Sequence, residues 1–244
     1  IQETLIRMSK YLIFGATGSI GSSLSEQLYK SNKEIHIIGK DEEEIKKLSS
    51  KLNCEYTILD VLKDNISETI KNNFSNVDVA GLAYCIGSID LKPLKISKKE
   101  DFEKCMDLNF FPIIEIIKGL QNNLKTNNGS IVLFSTVAAK KGFTNHSIIS
   151  SVKGAIEGLT VSLAAEFAPN IKVNCIAPSI TDSKMSQTIL KNKLITEGIA
   201  KSHPMKRIGK PEDSASMAKF LLTEESSWIT GQIFGVDGGK STLN

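Results

Sequence analysis

One feature restricts the fold of this chain more than any other. Short apolar runs alternate, from one end to the other, with segments of helical spacing. Tyr11-Leu-Ile-Phe14 is the first run, and a glycine ends it. Residues 19–31 follow, with Ile20, Leu24 and Leu28 at the interval that lines one helix face. Ile35 to Ile38 reads as a second strand, and Asp41 as the N-cap of a charged helix from Glu42 to Leu52. Tyr56 to Leu59, Val77 to Ala83, Ile131 to Phe134 and Ile171 to Ile176 read as further strands. Helices are predicted over 64–74, 98–125 and 148–168, with Pro112 marking a kink or a fresh start in the second of these. Pro211 opens a helix to Leu222, with Glu212 and Asp213 in its first turn, and Gln232 to Val236 is the last strand. Alternation of this kind builds βαβ units. The expected fold is α/β and doubly wound (Rossmann-type): a mostly parallel seven-stranded sheet with helices on both faces.

At 244 residues the chain suits one domain, because α/β sheets often run to ~250 residues as a unit. It has no Gly/Ser linker and no internal repeat. We expect a single dinucleotide-binding domain over 1–244, with residues 1–8 as an N-terminal extension. The aperiodic stretch 179–210 is long for a compact domain and is expected to be a substrate lid. Hydrophobic residues at 41% exclude a disordered chain, and a net charge of +3 is too small to argue for nucleic acid. No apolar run approaches the ~18–20 residues of a membrane span, so no membrane partner is expected. The start, Ile1 to Lys10, lacks the apolar region of a secretory signal. Cys54, Cys85, Cys105 and Cys175 have no CxxC spacing, which favours free thiols in a reducing, cytoplasmic setting over bridges or a metal site.

The first strand runs into Gly15-Ala16-Thr17-Gly18-Ser19-Ile20-Gly21, and a helix follows directly. A phosphate needs backbone N–H groups at close range, where a Cβ would block the approach, and the helix N-terminus adds its positive end. In dinucleotide sites a carboxylate at the end of the second strand accepts a hydrogen bond from the ribose 2′-hydroxyl. Here that end reads Ile38-Gly39-Lys40. Gly39 offers no carboxylate, and Lys40 puts a cation where a 2′-phosphate would lie. NADP is therefore expected in preference to NAD, provided that Asp41 faces away as the helix cap.

Late in the chain, Pro204-Met-Lys-Arg-Ile-Gly-Lys-Pro-Glu-Asp213 matches the pattern P-x-x-R-x-G-x-P-E-D. Trp228-Ile-Thr-Gly-Gln232, followed by Val236-Asp-Gly-Gly239, matches I-T-G-Q…V-D-G-G. With these motifs the chain resembles the short-chain dehydrogenase/reductase family, in its short one-domain branch, over residues 10–239. The glycine loop departs from that branch's T-G-x-x-x-G-x-G, with Phe14 at the threonine and Ser19 at the middle glycine. The resemblance implies roles for single positions. Asp60 and Val61 stand for the pair that meets the adenine. Gly87 is what remains of an N-N-A-G motif, here Tyr84-Cys85-Ile86-Gly87. Asn109 and Lys153 match the asparagine and lysine of the catalytic set. Pro178 matches the proline after the sixth strand, with Ser179 in place of the following glycine. Thr181 matches the residue whose backbone meets the nicotinamide amide, and Ser183 the cofactor-facing threonine. The resemblance further implies a homodimer or homotetramer, paired through the helices around 98–125 and 148–168 and through the last strand.

That family's catalytic motif is Y-x-x-x-K, and four residues before Lys153 this chain has Ile149. The serine position, thirteen residues earlier, holds Thr136. No tyrosine occurs after Tyr84, so no gap restores the motif. Reducing a ketone requires a proton at oxygen, which a phenol beside an ammonium can pass and an isoleucine cannot. Three readings remain open. A carbonyl/alcohol oxidoreductase could take its proton from His146, the nearest titratable side chain. The substrate or a bound water could supply it. Or the chain could be a non-catalytic NADP-binding module. An open cleft at Ile149 with His146 beside it would favour an enzyme, and a filled one the binding module.

Overall fold

The computed structural model describes residues 9–243; the expected extension at 1–8 lies outside them. Its strands are β1 (Lys10–Phe14), β2 (Ile35–Gly39), β3 (Glu55–Ile58), β4 (Val79–Tyr84), β5 (Ser130–Phe134), β6 (Lys172–Pro178) and β7 (Ile233–Val236). They form one sheet in the order β3-β2-β1-β4-β5-β6-β7, and every neighbouring pair is parallel. The strand order reverses beside β1, where β2 lies on one side and β4 on the other.

Alternation along each strand sends side chains into two cores. Leu12, Phe14, Leu82, Tyr84, Ile131, Leu133 and Val173 pack on one face, against α3 (Ile66–Phe74), α5 (Phe111–Thr126) and α6 (Ser147–Phe167). Tyr11, Ile13, Ile37, Ala83, Val132 and Ile176 pack on the other, against α1 (Ser19–Lys30), α2 (Glu42–Leu52) and α8 (Pro211–Leu222). Tyr84 is a core residue whose hydroxyl donates to Leu108 O at 2.7 Å. Burial raises its pKa, and its role is packing.

Local signals set several boundaries. Asp41 accepts from Glu44 N at 2.8 Å and caps α2, and Asn65 accepts from Glu68 N at 3.0 Å and caps α3. The span 98–125 is two helices, α4 (Lys99–Asn109) and α5, so Pro112 marks a fresh start. The stretch 179–210 is not irregular throughout. It contains α7 (Lys193–Lys201), capped by Asn192 at Leu194 N.

One helix bears on the expectation of no membrane partner. α6 is 21 residues long and reaches a mean hydropathy of 1.3 over its most apolar 18 residues, enough by length and composition to cross a membrane. Small and hydroxyl residues interrupt its apolar run, so counting uninterrupted hydrophobes missed it. In the fold this helix packs on β6 and α4, burying Ile148, Ile149, Val152 and Ile156.

Candidate active site

All strands point one way, so the segments leaving β1, β4, β5 and β6 gather at one edge of the sheet. There they line a cavity of about 560 Å³. Each segment contributes residues singled out above: Gly18, Ser19 and Ile20; Gly87; Thr136; Pro178, Thr181 and Ser183. His146, Ile149 and Lys153 of the α6 region join them, so the cleft at Ile149 is open and His146 lines it.

The glycine loop is built for close approach. Gly15 has φ +80°, and a Cβ there would lie 2.8 Å from Ile86 Cγ1. A Cβ on Gly21 would lie 2.3 Å from Gly15 O, so the first turn of α1 rests directly on the loop. Gly18 caps α1 without a side-chain hydrogen bond, and no acidic residue occupies its first turn. An anion therefore meets no competing carboxylate at this helix end. Thr17 is half-buried beneath the loop, against Gly39.

Lys153 is buried, and its Nζ donates to Phe134 O at 3.1 Å. Burial lowers its pKa to about 8. The thiols of Cys85, Cys105 and Cys175 surround it. Burial pushes each up to about 12, so none offers it an anion at neutral pH. Asn109 is fully buried at the end of α4, and its amide donates to Cys105 O at 2.9 Å and to Ser88 Oγ at 3.1 Å. A Cβ on Gly87 would fall 3.0 Å from Asn109 Oδ1 and 3.3 Å from Lys153 Nζ. The glycine thus lets the asparagine and the lysine approach the chain leaving β4. Thr136 Oγ1 accepts from Ala138 N at 3.3 Å and lies 3.5 Å from Pro178 O.

Lys40, Asp41, Asp60 and Val61 stand apart from the cavity lining. Lys40 is exposed at the end of β2. Asp41 is committed to the cap of α2. Asp60 holds the turn after β3 by accepting from Leu62 N at 3.1 Å, and Val61 packs on the core. His146 Nδ1 lies 2.8 Å from Thr144 O, and its ring rests against Phe143.

Three features of the site had no counterpart in the sequence reading. Ser179 Oγ lies 2.8 Å from Nε2 of His203. Lys184 Nζ pairs with Glu44 of α2, 140 residues away. Met185, Ile189 and Ile199 give the cavity an apolar wall. The two pairs leave no local pattern, because each joins residues remote in the chain.

Comparison with known proteins gives a consistent picture. A family model described as enoyl-(acyl carrier protein) reductase matches residues 15–241. A tropinone reductase homolog of Arabidopsis thaliana is 30% identical over 240 residues, covering 93% of this chain and 90% of its own. The 3-oxoacyl-(acyl-carrier-protein) reductase FabG of Rickettsia bellii is 32% identical over 231 residues, covering 93% and 95%. Among solved structures, ElxO with NADP bound superposes with a TM-score of 0.85 at 26% identity, covering 96% of this chain and 98% of that one.

Proposed function

From the premise that the chain belongs to the short-chain dehydrogenase/reductase family, we propose that it is an NADP-preferring oxidoreductase acting on a small carbonyl or alcohol substrate, with Ile149 at the tyrosine position. The observation that carries this reading is the cavity itself. Gly18–Ile20, Thr136 and Lys153 share one space, open at Ile149. That openness favours an enzyme over a binding module without redox chemistry. ElxO, similar to this chain, was solved with NADP bound, and FabG is named a reductase.

The residues fit such a cofactor. The N-terminus of α1 suits a pyrophosphate, with Gly15 and Gly21 allowing the approach and Thr17, Ser19 and Ile20 beside it. Asp60 and Val61 are proposed for the adenine, Lys40 for a 2′-phosphate, and Gly87, Pro178, Thr181 and Ser183 for the nicotinamide end. When bound in its reduced form, the cofactor supplies a hydride. Lys153 orients the ribose end and holds positive charge there at neutral pH. Thr136 donates a hydrogen bond to the substrate oxygen. Asn109 fixes the chain leaving β4. Ile149 moves no proton, so another donor in the cavity supplies it, since loss of a general acid would cost ~10²–10⁴ in rate.

The segment 179–210 is proposed as the lid, within a single domain, because it walls the cavity between β6 and α8. Exposed Phe111, Val161 and Trp228 support pairing into a dimer or tetramer. Four free thiols support a reducing compartment, the cytoplasm.

The test is NADPH oxidation over a panel of carbonyl compounds, with wild type beside Ile149→Tyr. Turnover by the wild type comparable to the variant is expected. Activity in the variant alone would mean that the natural chain has set redox chemistry aside. Absence of NADPH binding in a fluorescence titration would overturn the reading altogether.

A further inference from the structure

His203 is 3% exposed, yet with Ser179 it lines the same cavity as Thr136 and Lys153. Ser179 leaves the end of β6 and His203 follows α7, and Oγ and Nε2 lie 2.8 Å apart. On the far side of the ring, Nδ1 is 2.8 Å from Ile199 O. A carbonyl oxygen only accepts, so Nδ1 keeps its hydrogen. Nε2 is then the ring atom free to exchange a proton with the hydroxyl. This is a hydroxyl, a titratable ring and a group orienting that ring, in series and opening on a cavity. The Ser179 hydroxyl is not needed to hold its own backbone, because Ser179 N already donates to Val236 O at 3.3 Å. Thr136 Oγ1 lies 3.5 Å from the carbonyl of Pro178, the residue next to Ser179, so the two hydroxyls come from adjoining strand ends.

The charged groups that line this cavity are Lys153, Lys184 and Lys240, and among the described residues no carboxylate lines it. Lys240 Nζ is held by Oγ of Ser202, the residue before His203, at 2.9 Å. Lys206, whose N–H donates to His203 O at 2.9 Å, directs its Nζ to Lys201 O at 3.1 Å. An unassisted hydroxyl is a poor acid near neutrality, whereas an imidazole changes charge in that range.

We propose that Ser179 and His203 form the proton relay of the reduction, replacing the phenol that Ile149 cannot supply. The inference rests on the reductase reading above. With a hydride supplied by the cofactor to the carbonyl carbon, the C–O π pair would move to oxygen and take the proton of Ser179 Oγ–H. The Oγ then takes the Nε2 proton of the His203 imidazolium. The products are an alcohol, the oxidised cofactor, an intact serine and a neutral imidazole, which solvent reprotonates. In this scheme Ser179 touches the substrate, and His203 acts through it as a positioning and proton-supplying residue.

The experiment uses the full chain and two readouts. The chain has three histidines, so nitrogen-labelled imidazoles can be resolved by long-range proton–nitrogen correlation. His203 is expected to carry its proton on Nδ1 at high pH, with its Nε2 signal moved by Ser179→Ala. An Nε2-protonated ring, or a signal indifferent to that change, overturns the pairing without any substrate. The second readout is NADPH-dependent reduction of aromatic 1,2-diketones and quinones in mixtures of light and heavy water. His203→Gln is expected to lower kcat about 10²-fold with KM for NADPH unchanged. A curved proton inventory in the wild type should become straight in that variant, and Ser179→Thr should keep activity that Ser179→Ala loses. Full kcat in His203→Gln overturns the relay. So does a wild type that binds NADPH but reduces none of these compounds. Failure to bind NADPH would instead overturn the proposed function.

Discussion

The ammonium of Lys153 lies 3.1 Å from the carbonyl oxygen of Phe134 and has no carboxylate beside it among the described residues. The unfolded chain holds this proton up to the ordinary lysine value of 10.5, and the folded chain releases it at about 8. Below the folded value the protein carries the cost of a buried charge, and stability rises with pH between the two values, where the unfolded chain binds more protons. Lys153→Met is therefore expected to be more stable than wild type near neutrality, by on the order of 1–3 kcal/mol, while cofactor affinity falls. Urea denaturation near neutrality and at about pH 10 checks this, because the gap should shrink at the higher pH. A variant less stable under both conditions would contradict it.

Two glycine-to-alanine changes should have opposite signs. A Cβ at Gly21 would sit 2.3 Å from Gly15 O, a backbone atom that cannot rotate away. Gly21→Ala is expected to cost about 1–3 kcal/mol and to abolish NADPH binding. At Gly154 of α6 nothing lies within 4 Å of the added carbon. Gly154→Ala is expected to gain about 0.5–1 kcal/mol from helix propensity. Thermal melts of the pair, with an NADPH titration, decide both.

Lys40 is the exposed cation at the end of β2, and Asp41 is occupied by Glu44 N at 2.8 Å. Lys40→Glu should weaken NADPH about tenfold, or about 1.4 kcal/mol, and leave NADH little changed. The preference of the wild type should also narrow as salt is raised, since an exposed charge is screened. Tighter binding of NADH than of NADPH by the wild type would remove the basis for NADP.

Trp228 is 99% exposed and is the chain's single tryptophan, so its emission reports the surroundings of that surface alone. Light scattering at micromolar concentration should give two or four times the chain mass of 26.7 kDa. On dilution the indole emission should move to the red as subunits separate. A monomeric mass with water-exposed emission at every concentration would refute the pairing.

How much of this was legible depended on how local each signal was. The cap Asp41 and the apolar Ile45, Leu48 and Leu52 fix α2 at the residues expected. Pro211 with Glu212 and Asp213 does the same for α8. α7 escaped because it is short, buries no residue and holds Gly198 in its interior. The cavity's glycine and lysine positions followed from motifs. The Ser179–His203 contact spans 24 residues and the Lys184–Glu44 pair 140, and both exist only through the fold. Sequence alone could ask what supplies a proton with Ile149 four residues before Lys153, but the proposed pair required seeing what the return of α7 places against the end of β6.

The uniform strand direction reaches beyond the cavity. The connections that enter strands, at 31–34, 75–78 and 127–129, all lie at the sheet edge opposite the segments described above. They serve the scaffold and stay clear of the cavity lining. A reporter peptide or a tether inserted at 127–129 should leave ligand binding intact, while the same insertion at 86–90 should not. The molecule thus has an edge that can be engineered for attachment and one that must be left alone.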